Sequence, residues 1–259
     1  MPRLPAAADT ILPMAPAQAQ ADSSDGGIVI VHSSDLHLGT WGERDDLSVL
    51  AAVLGACRQA AADALILAGD IFDTNRLPLA VVDHAARMLA EAGLEVVVLP
   101  GNHDPAVPDS VYRKGGLGDP ANVHVLGVTC DETVTLAQLD LEVCGRPHLD
   151  YVDMAPLLVP QRRTMLRQVV VAHGHFVRAD YDEHRSWRFY EDDISATRAD
   201  YVALGHWELA QRVGSDGVAA YYSGSPDRAG TVNVVRLADG GADVSLLPLQ
   251  LDRPRRHGH

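Results

Sequence analysis

Cysteine is scarce in this chain: there are three in 259 residues, Cys57, Cys130 and Cys144, far apart. They match no zinc spacing and read as small buried hydrophobes in a reducing, cytoplasmic compartment. Basic charge is also short, with 21 Lys and Arg against 35 Asp and Glu, for a formal net charge of −14. Such a field repels nucleic-acid phosphates, so unaided tight binding of a duplex is disfavoured. Bound metal would offset part of this excess. No stretch is long and apolar enough to span a bilayer, and internal repeats and a linker between domains are missing as well. One folded unit is therefore expected over residues 28–250, with a disordered leader at 1–27 and a flexible tail at 251–259. Ala19-Gln20-Ala21 ahead of Asp22 resembles a signal-cleavage site, but Asp9 and four prolines interrupt the apolar core that such a signal needs.

Hydrophobic residues make up 47% of the chain, and a chain of this size buries roughly 70–75% of its surface. Five of its apolar runs, Ile28–Val31, Ala64–Ala68, Leu94–Leu99, Val169–Ala172 and Tyr201–Leu204, have strand-like composition. Each runs into a short polar cluster: Asp35-Leu36-His37, Gly69-Asp70-Ile71-Phe72-Asp73, Gly101-Asn102-His103-Asp104, His173-Gly174-His175 and Gly205-His206-Trp207-Glu208. Between the first three runs, helical periodicity covers Asp45–Ala62, with Asp46 near its start, and Leu79–Glu91, closed by Gly93. This β-α-β-α-β order predicts a largely parallel sheet with the clusters at its strand carboxyl ends. Beyond residue 120, short strands are expected at Val123–Val128, Thr133–Ala137 and Leu139–Val143. A helix is expected at Met154–Arg167, and further strands at Gln168–Ala172, Val218–Tyr222, Thr231–Arg236 and Ala242–Leu249. Two packed sheets flanked by helices is the architecture that this order supports.

The clusters carry chemistry suited to two borderline divalent cations. Asp35 and His37, two residues apart, share a face and could bind one ion together. Gly69 admits close backbone approach, and the Asp70 carboxylate sits where it could bridge two ions about 3.5–4 Å apart. Asp73 reads as a residue that orients a ligand. Asn102 offers a neutral oxygen. His103, left unligated, could protonate a leaving oxygen, with Asp104 fixing its tautomer and raising its pKa. Taken alone, Asn, His and Asp in such a turn serve equally well to cap backbone groups; the other four clusters shift the balance to ligation. His173 follows its strand directly and is the ligand chosen from that cluster, with His175 as a second choice or a substrate contact. His206 is a further ligand. Among the remaining histidines, His148 and His184 lie in loops that could reach the cleft. The loop Tyr181–Tyr190 offers Arg185 and Arg188 for phosphate and Trp187 and Phe189 for a base, or simply rings that pack on the core.

The order Asp-x-His, Gly-Asp-x-x-Asp, Gly-Asn-His-Asp, a lone His, then Gly-His-x-Glu resembles the signature of the calcineurin-like metallophosphoesterases over about residues 28–250. The resemblance implies a four-layer αββα sandwich of α/β class, with two mixed sheets flanked by helices. It also implies a binuclear centre of two divalent ions (Mn or Fe, with Zn, Ni or Mg as alternatives) and hydrolysis of phosphate esters by a metal-bound hydroxide. Carried over by position, Asp35 and His37 bind the first ion and Asp70 bridges. Asn102, His173 and His206 bind the second, and His103 is the proton donor. Ala199–His206 and Tyr222-Ser223-Gly224-Ser225-Pro226 resemble segments of the SbcD-type bacterial DNA-repair exonucleases. Two departures stand out. Glu208 occupies a position where the family has a metal-binding histidine, so it is either a harder ligand or a side chain that points away. The chain also has little length for a DNA-capping or partner-docking region. The expectation is a phosphodiesterase acting on a small phosphate ester or nucleotide. A single-strand-directed or partner-dependent nuclease is the alternative enzyme, and a degenerate metal- or phosphate-binding protein is the alternative outside enzymes.

Overall fold

The computed structural model describes residues 27–39, 47–160, 162–178, 185–215, 217–239 and 241–251. Asp46, His184 and, apart from Gly27 and Leu251, the expected leader and tail lie outside the described residues. In chain order the first half runs β1 (Ile28–Ser33), α1 (Ser48–Ala60), β2 (Ala64–Ala68), α2 (Leu79–Glu91), β3 (Glu95–Leu99), α3 (Val111–Lys114), β4 (Val123–Val125), β5 (Thr133–Leu136) and β6 (Leu141–Gly145). The second half runs β7 (Arg167–His173), β8 (His175–Phe176), β9 (Arg188–Phe189), α4 (Glu191–Thr197), β10 (Tyr201–Gly205), β11 (Gln211–Val213), β12 (Ala219–Tyr222), α5 (Pro226–Ala229), β13 (Thr231–Ala238) and β14 (Gly241–Pro248).

Two six-stranded sheets form, ordered β14-β13-β1-β2-β3-β4 and β11-β12-β10-β7-β6-β5. β1 to β4 are parallel in the first and β6, β7, β10 and β12 in the second; antiparallel β13 and β14 extend one edge of the first, and antiparallel β5 and β11 form the two edges of the second. Strands covered on both faces need apolar residues at every position, and Ala64-Leu65-Ile66-Leu67-Ala68 is buried throughout. Alternate residues serve different cores. Ile30, Ile66 and Val97 meet Val143, Val169 and Ala203 between the sheets. Val31, Leu65, Leu67 and Val98 face outward to Leu50, Val53, Val82 and Leu89 of α1 and α2. On the far side of the second sheet, Val170, Val202 and Leu204 pack on Leu157, Phe189 and Ile194. The four-layer order is therefore the expected one, with its fourth layer built from little helix.

That thin layer corrects one expectation. The described residues of Met154–Arg167 are not helical; they form no regular element until β7 begins at Arg167. Pro156 and Pro160 each remove a backbone donor and crowd the preceding turn. The chain beyond them is held by the second sheet instead: the Thr164 amide donates to both carboxylate oxygens of the buried Glu142 at 3.1 Å. Arg163 pairs with Asp200 at 3.1 Å.

Candidate metal centre

Backbone bonds set the ligand loops before any side chain does. Past the exits of the parallel neighbours β1 and β2, the Asp35 amide donates to the Gly69 carbonyl at 3.0 Å, the His37 amide to Asp70 at 3.1 Å and the Leu38 amide to Ile71 at 2.9 Å. Asp35, His37, Asp70 and His206 all sit at positive φ, at 53°, 45°, 53° and 95°. Left-handed backbone is unfavourable for residues bearing a Cβ, so strain is concentrated where these loops turn back over the strand ends, as functional sites tend to concentrate it. The glycines of the clusters make room. A Cβ on Gly69 would lie 2.1 Å from His173 Nδ1, and one on Gly101 would lie 2.2 Å from Asp70 Oδ1.

The side chains so placed converge across the two sheets. Asp70 Oδ2 lies 3.2 Å from His173 Nε2 and 4.0 Å from His37 Nε2, between residues of opposite sheets. Asn102 Oδ1 is 3.0 Å from both His173 Nε2 and His206 Nδ1. The His206 amide donates to Asp35 Oδ2 at 3.0 Å. Ligand atoms of Asp35, Asp70 and His173 fall within 4.8 Å of one another, as do those of His37, Asp73 and His103. The structure thus brings Asp35, His37, Asp70, Asn102, His173 and His206 to one focus.

Electrostatics point to a cation there. His173 is wholly buried, which alone would lower its pKa, but the Asp70 carboxylate overrides burial and raises it to about 10. The same imidazolium holds Asp70 ionised, below the usual carboxylate range, despite its burial. Burial pushes Asp35 up, with the Asp70 charge adding to it and His173 opposing. His206, half-buried and beside His173, falls to about 3 through desolvation and the His173 charge and stays neutral. The His173 Nδ1 hydrogen is taken by the Ala68 carbonyl at 2.8 Å, which aims Nε2 at the oxygens of Asp70 and Asn102. Nitrogen and oxygen donors converging on a site that now attracts a proton fit a borderline divalent cation.

Other expected residues take different places. The His103 ring does not touch Asp104; its Nδ1 lies 3.2 Å from the Asp73 carbonyl, and its amide donates to Asp70 Oδ1 at 2.9 Å. Asp104 is instead a buried brace, accepting from the Phe72 amide (2.9 Å), the Gly101 amide (2.8 Å) and the Tyr112 hydroxyl (2.6 Å). It ties the Asp70 and Asn102 loops together, and burial plus the Asp70 charge lift its pKa to about 6. Asp73 Oδ1 lies 3.4 Å from His37 Nδ1. The Glu208 side chain is 68% exposed, 3.7 Å from Arg228, and belongs to neither ligand group. The Ser-Gly-Ser-Pro turn engages its backbone, through the Ser225 amide bound to the Glu208 carbonyl at 3.1 Å. His175 stands beside the focus, its ring 6.2 Å from that of His206. Arg185 and Arg188 are exposed, the latter paired with His175 through β8 and β9. Trp187 packs its ring on His148 (5.2 Å) and His206 (5.8 Å), and Phe189 is buried.

Sequence reasoning passed over Tyr112 and gave little weight to His148. His148 is buried behind the focus, its Nε2 2.8 Å from the His173 carbonyl, and burial takes its pKa to about 4. The one signal for His148 is its place directly after Pro147; Tyr112, in a polar stretch, has none.

A family model, calcineurin-like phosphoesterase, matches residues 28–221. The SbcD subunit of nuclease SbcCD from Bacillus subtilis is 26% identical over 240 residues, covering 76% of this chain and 61% of that protein. The subunit of the same name from Rhodobacter capsulatus is 35% identical over 114 residues, 38% of this chain and 26% of that one. DNA double-strand break repair protein Mre11 of Aeropyrum pernix is 37% identical over 90 residues, 31% of this chain and 22% of that one. The chain spans less than two thirds of each of these relatives. The crystal structure of TT1561 of Thermus thermophilus superposes with a TM-score of 0.58 at 13% identity, covering 85% of this chain and 99% of that one, a likeness of fold.

Proposed function

Because the chain belongs to the calcineurin-like phosphoesterase family, a group of metal-dependent hydrolases of phosphate esters, we propose that it cleaves phosphodiesters at a binuclear centre. The observation that carries this reading is the position of Asp70, whose carboxylate lies between His37 on one side and His173 with Asn102 on the other. In this reading Asp35, His37 and Asp70 hold one ion, and Asp70, Asn102, His173 and His206 the other. Bound divalent ions (Mn or Fe, with Zn, Ni or Mg as alternatives) would supply Lewis-acid polarisation of the phosphate and activation of water.

The chain's own groups do the rest. The Ala68 carbonyl fixes the His173 tautomer. Asp104 locks the Asp70 and Asn102 loops at a common height. The Asp73 carbonyl lies 3.2 Å from His103 Nδ1, and the exposed His103 ring stands at the edge of the focus 4.7 Å from that of His37. In this reading His103 protonates the departing alkoxide. Glu208 lies near Arg228 and outside both ligand groups, so in this reading Asp35, His37 and Asp70 would hold the first ion without it.

Among the described residues no helix is long and apolar enough to cross a membrane. The three free cysteines support a reducing, cytoplasmic setting. The relatives named as nuclease subunits favour a second reading, cleavage of single-stranded DNA, against which the net charge weighs. The deciding comparison is hydrolysis of bis(p-nitrophenyl) phosphate, p-nitrophenyl phosphate and a single-stranded oligonucleotide by metal-reloaded protein at low salt. Faster turnover of the diester than of the monoester is expected. A preference for the monoester contradicts the diesterase reading, and efficient oligonucleotide cleavage establishes the nuclease.

A further inference from the structure

A pocket of about 510 Å³ opens beside the candidate metal centre, and the reading above gives it no task. His175 and Trp207 form its near wall, and Phe176, Arg178, Glu191 and Arg212 are among the groups that line the rest. It adjoins the centre at His175, whose ring is 6.2 Å from that of the ligand candidate His206 and 5.7 Å from that of Trp207. An ester whose phosphate rests on the focus would therefore extend one arm along this wall.

The walls are built rather than incidental. The Tyr222 hydroxyl donates to the Gly174 carbonyl and accepts from the Phe176 amide, both at 2.8 Å, fixing the β8 side. Opposite, Glu191 Oε1 accepts from the Ser215 amide at 2.8 Å and its hydroxyl at 2.7 Å, which holds the loop after β11 to α4. The lining is chemically specific as well. Trp207, 37% exposed, offers a flat ring for stacking. Two arginines and one glutamate line it, and guanidinium groups suit phosphate or ring-carbonyl oxygens. The volume lies in the ~300–1,000 Å³ range of small-molecule sites. It suits one nucleoside with an attached phosphate rather than a run of stacked bases.

We propose that this pocket receives the nucleoside arm of a small phosphodiester, its base on Trp207 and its further oxygens on Arg178 and Arg212. The proposal rests on the phosphodiesterase reading, and the test separates the two. Metal-loaded full-length protein is given thymidine 5′-(p-nitrophenyl phosphate) and methyl p-nitrophenyl phosphate. In parallel, equilibrium binding of thymidine 5′-monophosphate is compared with that of inorganic phosphate by calorimetry. Base stacking of the usual strength predicts at least about a tenfold preference for the thymidyl ester in kcat/KM, and a similar preference for the nucleotide in binding. Trp207→Ala and Arg212→Gln each reduce both preferences several-fold, chiefly through KM, while Trp207→Phe retains most of them. Equal kcat/KM for the two esters, or preferences unchanged in the variants, overturns the proposal. If neither ester is turned over, the phosphodiesterase reading fails, and the calorimetric comparison by itself decides whether the pocket takes a nucleoside.

Discussion

Metal binding should expel a proton from His173. In the metal-free chain the Nδ1 of this imidazole faces the Ala68 carbonyl at 2.8 Å. Its Nε2 faces Asp70 Oδ2 at 3.2 Å and Asn102 Oδ1 at 3.0 Å. Both nitrogens meet acceptors, so both carry hydrogen. Burial opposes the charge, but Asp70 prevails and the pKa rises to about 10. An ion ligated by Nε2 must displace that hydrogen. Below the pKa the proton competes and the competition fades as pH rises, so affinity should increase about tenfold, or about 1.4 kcal/mol, per pH unit. At pH 7, three units below the pKa of about 10, the competition costs about 4 kcal/mol. Burial raises Asp35 as well, which steepens the dependence on the acid side. Calorimetric titration of Mn(II) into the full chain at pH 6.5, 7.5 and 8.5, in buffers of different ionisation enthalpy, counts the protons. One proton released for the ion held by His173 is expected, and His173→Gln should abolish the release. Affinity independent of pH, with no proton released, would refute the imidazolium assignment.

Three further outcomes follow from single contacts. Tyr112→Phe removes a buried 2.6 Å hydrogen bond to Asp104, so urea unfolding at pH 8, where that carboxyl is ionised, should show a loss of about 1.5–3 kcal/mol; a loss under about 0.5 kcal/mol would mean that Asp104 is braced without it. His32, buried with its Nδ1 2.9 Å from the Tyr201 hydroxyl, is held near pKa 3 by burial, against 6.5 when unfolded. The unfolded chain alone takes up the proton below pH 6.5, so this contribution is intact above that pH and falls by about 2 kcal/mol at pH 5. His32→Gln should flatten this acid slope in urea unfolding, and an unchanged slope would assign it to other groups. Gly69→Ala places a methyl 2.1 Å from His173 Nδ1 at φ +88° and should weaken metal binding at least tenfold, as read by calorimetry; retained affinity would show that the His173 position is not critical.

Much of the site was legible because its grammar is local. A buried parallel strand is apolar at every position and must end abruptly where it meets the cavity. The polar cluster after each run therefore marked the strand exit, and six of the proposed ligands meet at one focus. The rest depended on contacts distant in sequence. Asp104 follows His103 immediately, yet Phe72 and Tyr112 claim its carboxylate. Trp187 reads as a ring for a base, yet His148 and His206 supply its packing. Met154–Arg167 reads as a helix, but its prolines break the ladder and the buried Glu142 carboxylate takes the Thr164 amide instead. The pocket beside Trp207 joins groups from four separate stretches of chain, and no single stretch announces it.

The central claim, a two-ion phosphodiesterase centre joined by Asp70, is tested most directly by following bis(p-nitrophenyl) phosphate hydrolysis while metal-stripped protein is titrated with Mn(II) or Fe(II), beside Asp70→Asn. Activity that rises to a plateau at two equivalents per chain and is abolished in Asp70→Asn is the predicted result. A plateau at one equivalent, or turnover retained in the variant, would contradict the account.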